Sequence, residues 1–140
     1  MYQTPDKTTN RLLVYGEYLA AAQALPQNTS AYGDEGAAQF AGTMQGLRVL
    51  IGCNEAITIT ATKKLQFELW DSATETGTFT KCGGTVELTD ASTDLEYAAE
   101  DLICEIPVPE DMLPWAKLKI ITDDASAAGK IDAWLDYVPR

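Results

Sequence analysis

The stretch Trp115-Ala-Lys-Leu-Lys-Ile-Ile-Thr122, its continuation Asp123-Asp-Ala-Ser-Ala-Ala-Gly129 and the closing Lys130-Ile-Asp-Ala-Trp-Leu-Asp-Tyr-Val138 decide the fold. In the first piece Leu118 and Ile120 alternate with Lys117 and Lys119. In the last, Ile131, Ala133, Leu135 and Tyr137 alternate with Asp132, Trp134 and Asp136. A period of two sends successive side chains to opposite faces of an extended chain, so each piece reads as a strand with one buried side. The small, polar middle piece ends on a glycine and reads as a hairpin turn. Two alternating strands and such a turn predict antiparallel β structure.

The same pattern continues upstream. Leu47-Arg-Val-Leu-Ile51 reads as a strand, Gly52-Cys-Asn-Glu55 as a turn, and Ala56-Ile-Thr-Ile-Thr-Ala-Thr62 as the next strand. Lys64-Leu-Gln-Phe-Glu-Leu-Trp70 follows with Leu65, Phe67 and Leu69 inward, then a turn over residues 71–77. Thr78-Phe-Thr-Lys-Cys82 and Thr85-Val-Glu-Leu88 flank a Gly83-Gly84 break, and an acidic loop leads to Asp101-Leu-Ile-Cys-Glu-Ile-Pro107. Pro107, Pro109 and Pro114 mark a long crossing loop before Trp115. Short strands at this spacing predict an all-β fold, a jelly-roll-like antiparallel β-sandwich over residues 47–140.

Residues 1–46 differ in texture: a polar start, a small-residue centre and glycines at 16, 33, 36, 42 and 46. They read as an extended N-terminal arm that orders against a neighbour or hugs the domain surface. Within it, residues 11–25 combine a β-like beginning with an alanine-rich end, leaving room for a short helix stopped by Pro26. The segment 29–36 has neither period and reads as a loop ordered on contact.

Charge and chemistry narrow the function. Ten basic residues stand against 21 acidic ones, with no histidine and a formal net charge of −11. Scattered Lys and Arg argue against nucleic acid as a partner. No apolar run approaches the roughly 20 residues of a bilayer span, and the start lacks a secretory pattern, so no membrane is expected and synthesis is placed in a cytoplasm. Cys53, Cys82 and Cys104 are odd in number and lack paired spacing, which predicts free, mostly buried thiols in a reducing compartment and no metal. Without histidine the commonest general base is missing. Carboxylate pairs such as Glu68 with Asp71 or Asp132 with Asp136 read as solvent-face acids, and Asp123, Asp124 and the acids of 90–94 as turn caps rather than Ca²⁺ ligands. No enzyme and no cofactor are expected. The remaining signal is aromatic: Trp70, Trp115 and Trp134, with Tyr137 and Tyr32, are the candidate interface residues, and Trp134 faces away from the apolar set of its own strand. A carbohydrate- or host-surface-binding sandwich that stacks sugars on exposed tryptophans is the alternative reading.

The closing residues 118–138, the preceding Ile106-Pro-Val-Pro-Glu-Asp-Met-Leu-Pro-Trp115 and the earlier Phe67-Glu-Leu-Trp-Asp71 together resemble the capsid cement proteins of Bordetella-phage type, also found as prophage structural proteins. The resemblance covers the last two thirds of the chain. It implies a jelly-roll virion protein made in the bacterial host cytoplasm and seated on the capsid exterior. There it would bind a major capsid protein of the HK97 type and bridge subunits as a homo-oligomer, a dimer being favoured. No functional residue is carried over by a motif.

Overall fold

Alternating side chains leave each strand one apolar face, and the computed structural model, which describes residues 18–39, 47–109 and 111–137, buries those faces between two sheets. Ten strands occur among the described residues: β1 (Tyr18–Ala24), β2 (Thr29–Tyr32), β3 (Ala38–Gln39), β4 (Leu47–Ile59), β5 (Lys64–Ser72), β6 (Thr80–Thr89), β7 (Leu95–Tyr97), β8 (Leu102–Pro107), β9 (Trp115–Thr122) and β10 (Ala128–Tyr137). The first sheet runs β1-β10-β4, with β7 and β8 sharing the far side of β4. The second runs β2-β9-β5-β6, with β3 following β2 along β9. The pairs nest: β1 with β10, β2 with β9, β4 with β7 and β8, β5 with β6, all antiparallel. This is an antiparallel ribbon wrapped into a jelly roll, as the strand spacing predicts. Leu19, Val49, Ile51, Ile57 and Ile131 from one wall meet Leu65, Phe67, Leu69, Leu118 and Ile120 from the other, and each is at most 1% exposed. No helix of the described residues is long and apolar enough to cross a membrane.

Three expectations are corrected. The closing ribbon is not a hairpin: β9 belongs to the second sheet and β10 to the first, so residues 123–127 carry the chain across the core. Alternation is the same whether two strands pair edge to edge or face each other across a core, so periodicity cannot separate the cases. Gly129 does take a positive φ, 113°, but for packing as well as for turning. A Cβ there would lie 2.6 Å from the Ala56 carbonyl oxygen and from Ile57 Cγ1, where β10 enters beside β4.

The expected arm is the second correction. Its described part, 18–39, supplies the edge strand of the first sheet and two strands of the second, with Leu19 and Ala20 fully buried. The alanine-rich end of the expected helix is strand β1, bulged at Ala22, whose φ is 46° and whose N–H donates to Asp132 Oδ1 at 2.6 Å. At the corner after β2, Gly33 donates its N–H to Leu118 O at 2.7 Å and lies so close to Leu19 that a Cβ would sit 2.0 Å from that carbonyl oxygen. A boundary at residue 46 therefore cuts through the roll. Residues 1–17 and 40–46, including the start of the expected helix, lie outside the described residues.

The third correction concerns glycines read as turns. Gly52-Cys-Asn-Glu55 does not end a strand, because β4 runs unbroken beneath it at the centre of the first sheet. Register shifts on both of its neighbours, at Lys130/Ile131 and at Ile51/Gly52, show that the segment is bulged. Gly83-Gly84 likewise marks a bulge inside β6, between the pairs Leu69↔Cys82 and Glu68↔Thr85.

If β1 is part of the cooperative fold, Leu19→Ala should lower the unfolding free energy by about 2–5 kcal/mol, the usual range for a fully buried leucine. Urea denaturation measures it, and a change within the noise of a surface substitution would place β1 outside the cooperative unit.

Candidate interaction face

The outer face of the second sheet gathers four of the ten basic residues of this acidic chain: Lys64 on β5, Lys81 on β6, and Lys117 and Lys119 on β9. Strand register puts them there. In the row Tyr32–Lys119–Glu68–Thr85, and in the row Lys117–Trp70–Lys81 beside it, side chains point away from the core whose inward neighbours Phe67, Leu69, Leu118 and Ile120 are buried. Trp70 and Tyr32 meet edge to face, with centroids 6.1 Å apart. Lys119 Nζ lies 4.4 Å from the Trp70 centroid and 5.6 Å from that of Tyr32, while Lys117 Nζ lies 5.2 Å from Tyr32 and 4.4 Å from Phe79. The result is a ladder, Phe79–Lys117–Tyr32–Lys119–Trp70, in which rings and ammonium groups alternate. Each such contact is worth about 0.5–1 kcal/mol at an exposed site.

The charges are compensated unevenly across the face. Lys81 pairs with Glu68 at 3.0 Å, and Lys64 with Glu87 at 3.4 Å. Burial pushes the Glu68 carboxyl up, but donors from Lys81, Thr85 and Trp70 outweigh it and hold the group below the usual carboxylate range. Lys117 and Lys119, by contrast, have no carboxylate oxygen within 4.0 Å among the described residues. A depression of about 130 Å³ lies at one end of the face, lined by Lys64, Gln66, Ile121, Thr122 and Asp123. It is smaller than the few hundred Å³ that a small-molecule site normally needs.

Of the aromatic candidates, Trp70 and Tyr32 come together in this ladder, and Tyr32 is 39% exposed. Trp115 shares the outer face of β9 but stands outside the ladder, half-buried opposite Gln39 and Ser72. Trp134 faces away from the core as its parity requires, yet it is only 3% exposed, beside the Tyr18 ring and opposite the equally covered Leu50. Its ring is packed within the chain, so it does not offer the anchor expected of it. Tyr137 ends β10 opposite Leu47, and its side chain lies outside the described residues.

The carboxylate pairs do not converge. Glu68 is on the outer face of β5, whereas Asp71 is buried on the inner one and accepts the Leu113 N–H. Asp132 takes the Ala22 amide and the Asn54 side chain, and the Asp136 side chain lies outside the described residues. Asp90, Asp94, Asp123 and Asp124 accept backbone amides of Ser92, Ala61, Lys64 and Thr60 in turn, the cap role the sequence suggested. Among the described residues no three His, Cys, Asp or Glu side chains group as metal ligands would. The three cysteines are free; burial pushes Cys104 and Cys82 up to about 12 and raises Cys53, so all three stay thiols near neutrality.

Sequence reading missed Lys117, Lys119 and Phe79 as site residues. The signal was the Lys-x-Lys alternation itself, but its ring partners come from three other segments and only register unites them.

No protein-family model matches the chain, and no curated protein matches it either.

Asp124 is a buried carboxylate, 3% exposed. Burial raises its pKa, but amide donors from Thr60 at 2.7 Å and Ser126 at 2.9 Å outweigh that and hold it below the usual range. A depressed folded pKa stabilises the fold above the unfolded value of about 3.9, and the contribution fades as pH falls through the folded value. Asp124→Asn should therefore cost about 1–3 kcal/mol at pH 7. In urea titrations the gap to the unsubstituted protein should begin to close as the pH falls below the unfolded value of about 3.9, and a gap that stays constant would contradict the assignment.

Proposed function

We propose that the chain is a virion structural protein, a capsid cement or decoration protein that binds the outside of an HK97-type shell and holds neighbouring subunits together without catalysis. The observation that carries the reading is the ring–ammonium ladder on the outer face of the second sheet, half-exposed and rich in the aromatic groups that are enriched at protein contacts. Tyr and Trp supply rigid contact area at little entropic cost, which suits docking repeated over many copies. The jelly-roll topology supports the reading, and so does the resemblance of the closing residues to Bordetella-phage-type cement proteins. In this reading the protein is made in the bacterial host cytoplasm, joins the capsid exterior as a homo-oligomer, a dimer being favoured, and contacts neither nucleic acid nor membrane. A sugar-binding role would need free ring faces, and Trp70, Tyr32 and Phe79 each already carry an ammonium group.

The test is co-sedimentation of the purified protein with shells assembled from an HK97-type major capsid protein. Saturable binding at a fixed copy ratio is expected. Truncation of the first 40 residues is not a usable control, since it removes β1, β2 and β3. Absence of binding to both unexpanded and expanded shells, with saturable binding on a glycan array, would replace cement by the carbohydrate reading.

A further inference from the structure

Lys117 and Lys119 are alternate residues on one face of an extended strand, so their Cα atoms stand about 6.5–7 Å apart. Both ammonium groups reach the Tyr32 ring, one 5.2 Å and the other 5.6 Å from its centroid. The chain carries 21 acidic residues, and on this same face Lys64 and Lys81 each receive one. Glu68, opposite Lys119 in register, is already engaged by Lys81, Thr85 and Trp70. Lysine stems laid over rings to cover apolar surface would explain the ring contacts. That role does not explain why, in so acidic a chain, these two cations lie against rings rather than carboxylates.

Resting on the reading of this face as a protein contact, the geometry points to its occupant: an extended, acidic segment of a partner protein, with Asp or Glu at alternate residues. Alternate side chains of an extended segment repeat at the same 6.5–7 Å or so, so a segment running along β9 presents one carboxylate to each ammonium. Its backbone then crosses the half-exposed Tyr32 ring between them. Charge complementarity favours a short carboxylate segment over a polyanion. The net charge of −11 repels a long, continuously charged nucleic acid or sulfated glycan, whereas two local charge pairs act inside the screening length.

The experiment titrates the purified protein with a synthetic peptide alternating Glu and Thr, followed by tryptophan fluorescence and by the amide signals of β9. Saturable binding is expected, weakened by salt, and reduced about tenfold both for the Gln-for-Glu peptide and by Lys117→Gln with Lys119→Gln, since two partly exposed charge pairs amount to roughly 1–2 kcal/mol. Equal binding of the Gln peptide, indifference to the double substitution, or failure to saturate would each overturn the inference. Binding of heparin or a short DNA duplex through the same lysines in place of the peptide would overturn it in favour of a polyanion. Shell co-sedimentation separates this inference from the cement reading. A double variant that sediments like the unsubstituted protein removes the acidic occupant and leaves cement standing. Shells that bind neither protein remove cement and leave the peptide titration to decide the occupant.

Discussion

A buried carboxylate, Asp124, holds one end of the sandwich, where the chain crosses four times between its sheets. Its Oδ2 takes the amide of Thr60 from the β4–β5 turn, its Oδ1 that of Ser126 from the β9–β10 corner, and its own carbonyl that of Asn28 from the β1–β2 corner. The fourth crossing at this end, from β6 to β7, joins through Asp90 O to Thr62 N at 2.7 Å and Asp94 Oδ1 to Ala61 N at 2.9 Å. Corners are where ladders stop and backbone donors lose their partners, and aspartate is the short side chain that can replace them. Much of the acidity that reads as a surface property is therefore invested in the backbone. The glutamates are used differently: Glu68, Glu87 and Glu105 pair with Lys81, Lys64 and Arg48 across strands.

Where a strand has one buried side and no bulge, the fold was legible in the sequence. Trp115–Thr122 is read to the residue, and the inward sets Leu65, Phe67, Leu69 and Ile131, Ala133, Leu135 are all buried. What failed was the meaning of breaks. Gly52 and Gly83 look like turn residues and sit in bulges, because a glycine in a strand is also the way to bend it without ending it. The N-terminal segment failed for a different reason. Leu19, Ala20 and Ala38 are buried, but small residues and a bulge at Ala22 break the alternation on which the reading depended. β1 is a strand because β10 and Asp132 make it one, and neither is local to it.

The candidate interaction face was half legible. Trp70 and Tyr32 stand out by residue type alone, and they do meet. Parity placed Trp134 correctly on the outside of its sheet but could not foresee that Tyr18 would pack against it, since the two are brought together only by the pairing of β1 with β10. Lys117 and Lys119 were visible as an outward pair, yet their significance depends on rings contributed by β2, β5 and the approach to β6. Composition suggested scattered cations, and register collects four of the ten on one face.

The nesting of the strands also governs how the molecule can come into being. The bond from Ala22 to Asp132 spans 110 residues, and the β1–β10 pairing that surrounds it closes the edge of the first sheet. During synthesis β1 therefore leaves the ribosome long before its partner exists, as does β2, which waits for β9. Among the described strands only β5 and β6, adjacent in sequence, can pair early. Loop closure on this scale makes a sandwich slow to fold, on the order of milliseconds to seconds, and keeps apolar strand faces exposed meanwhile. The heavy negative charge would then act in the nascent chain as well as in the native one, keeping unfinished copies apart until the last strand arrives.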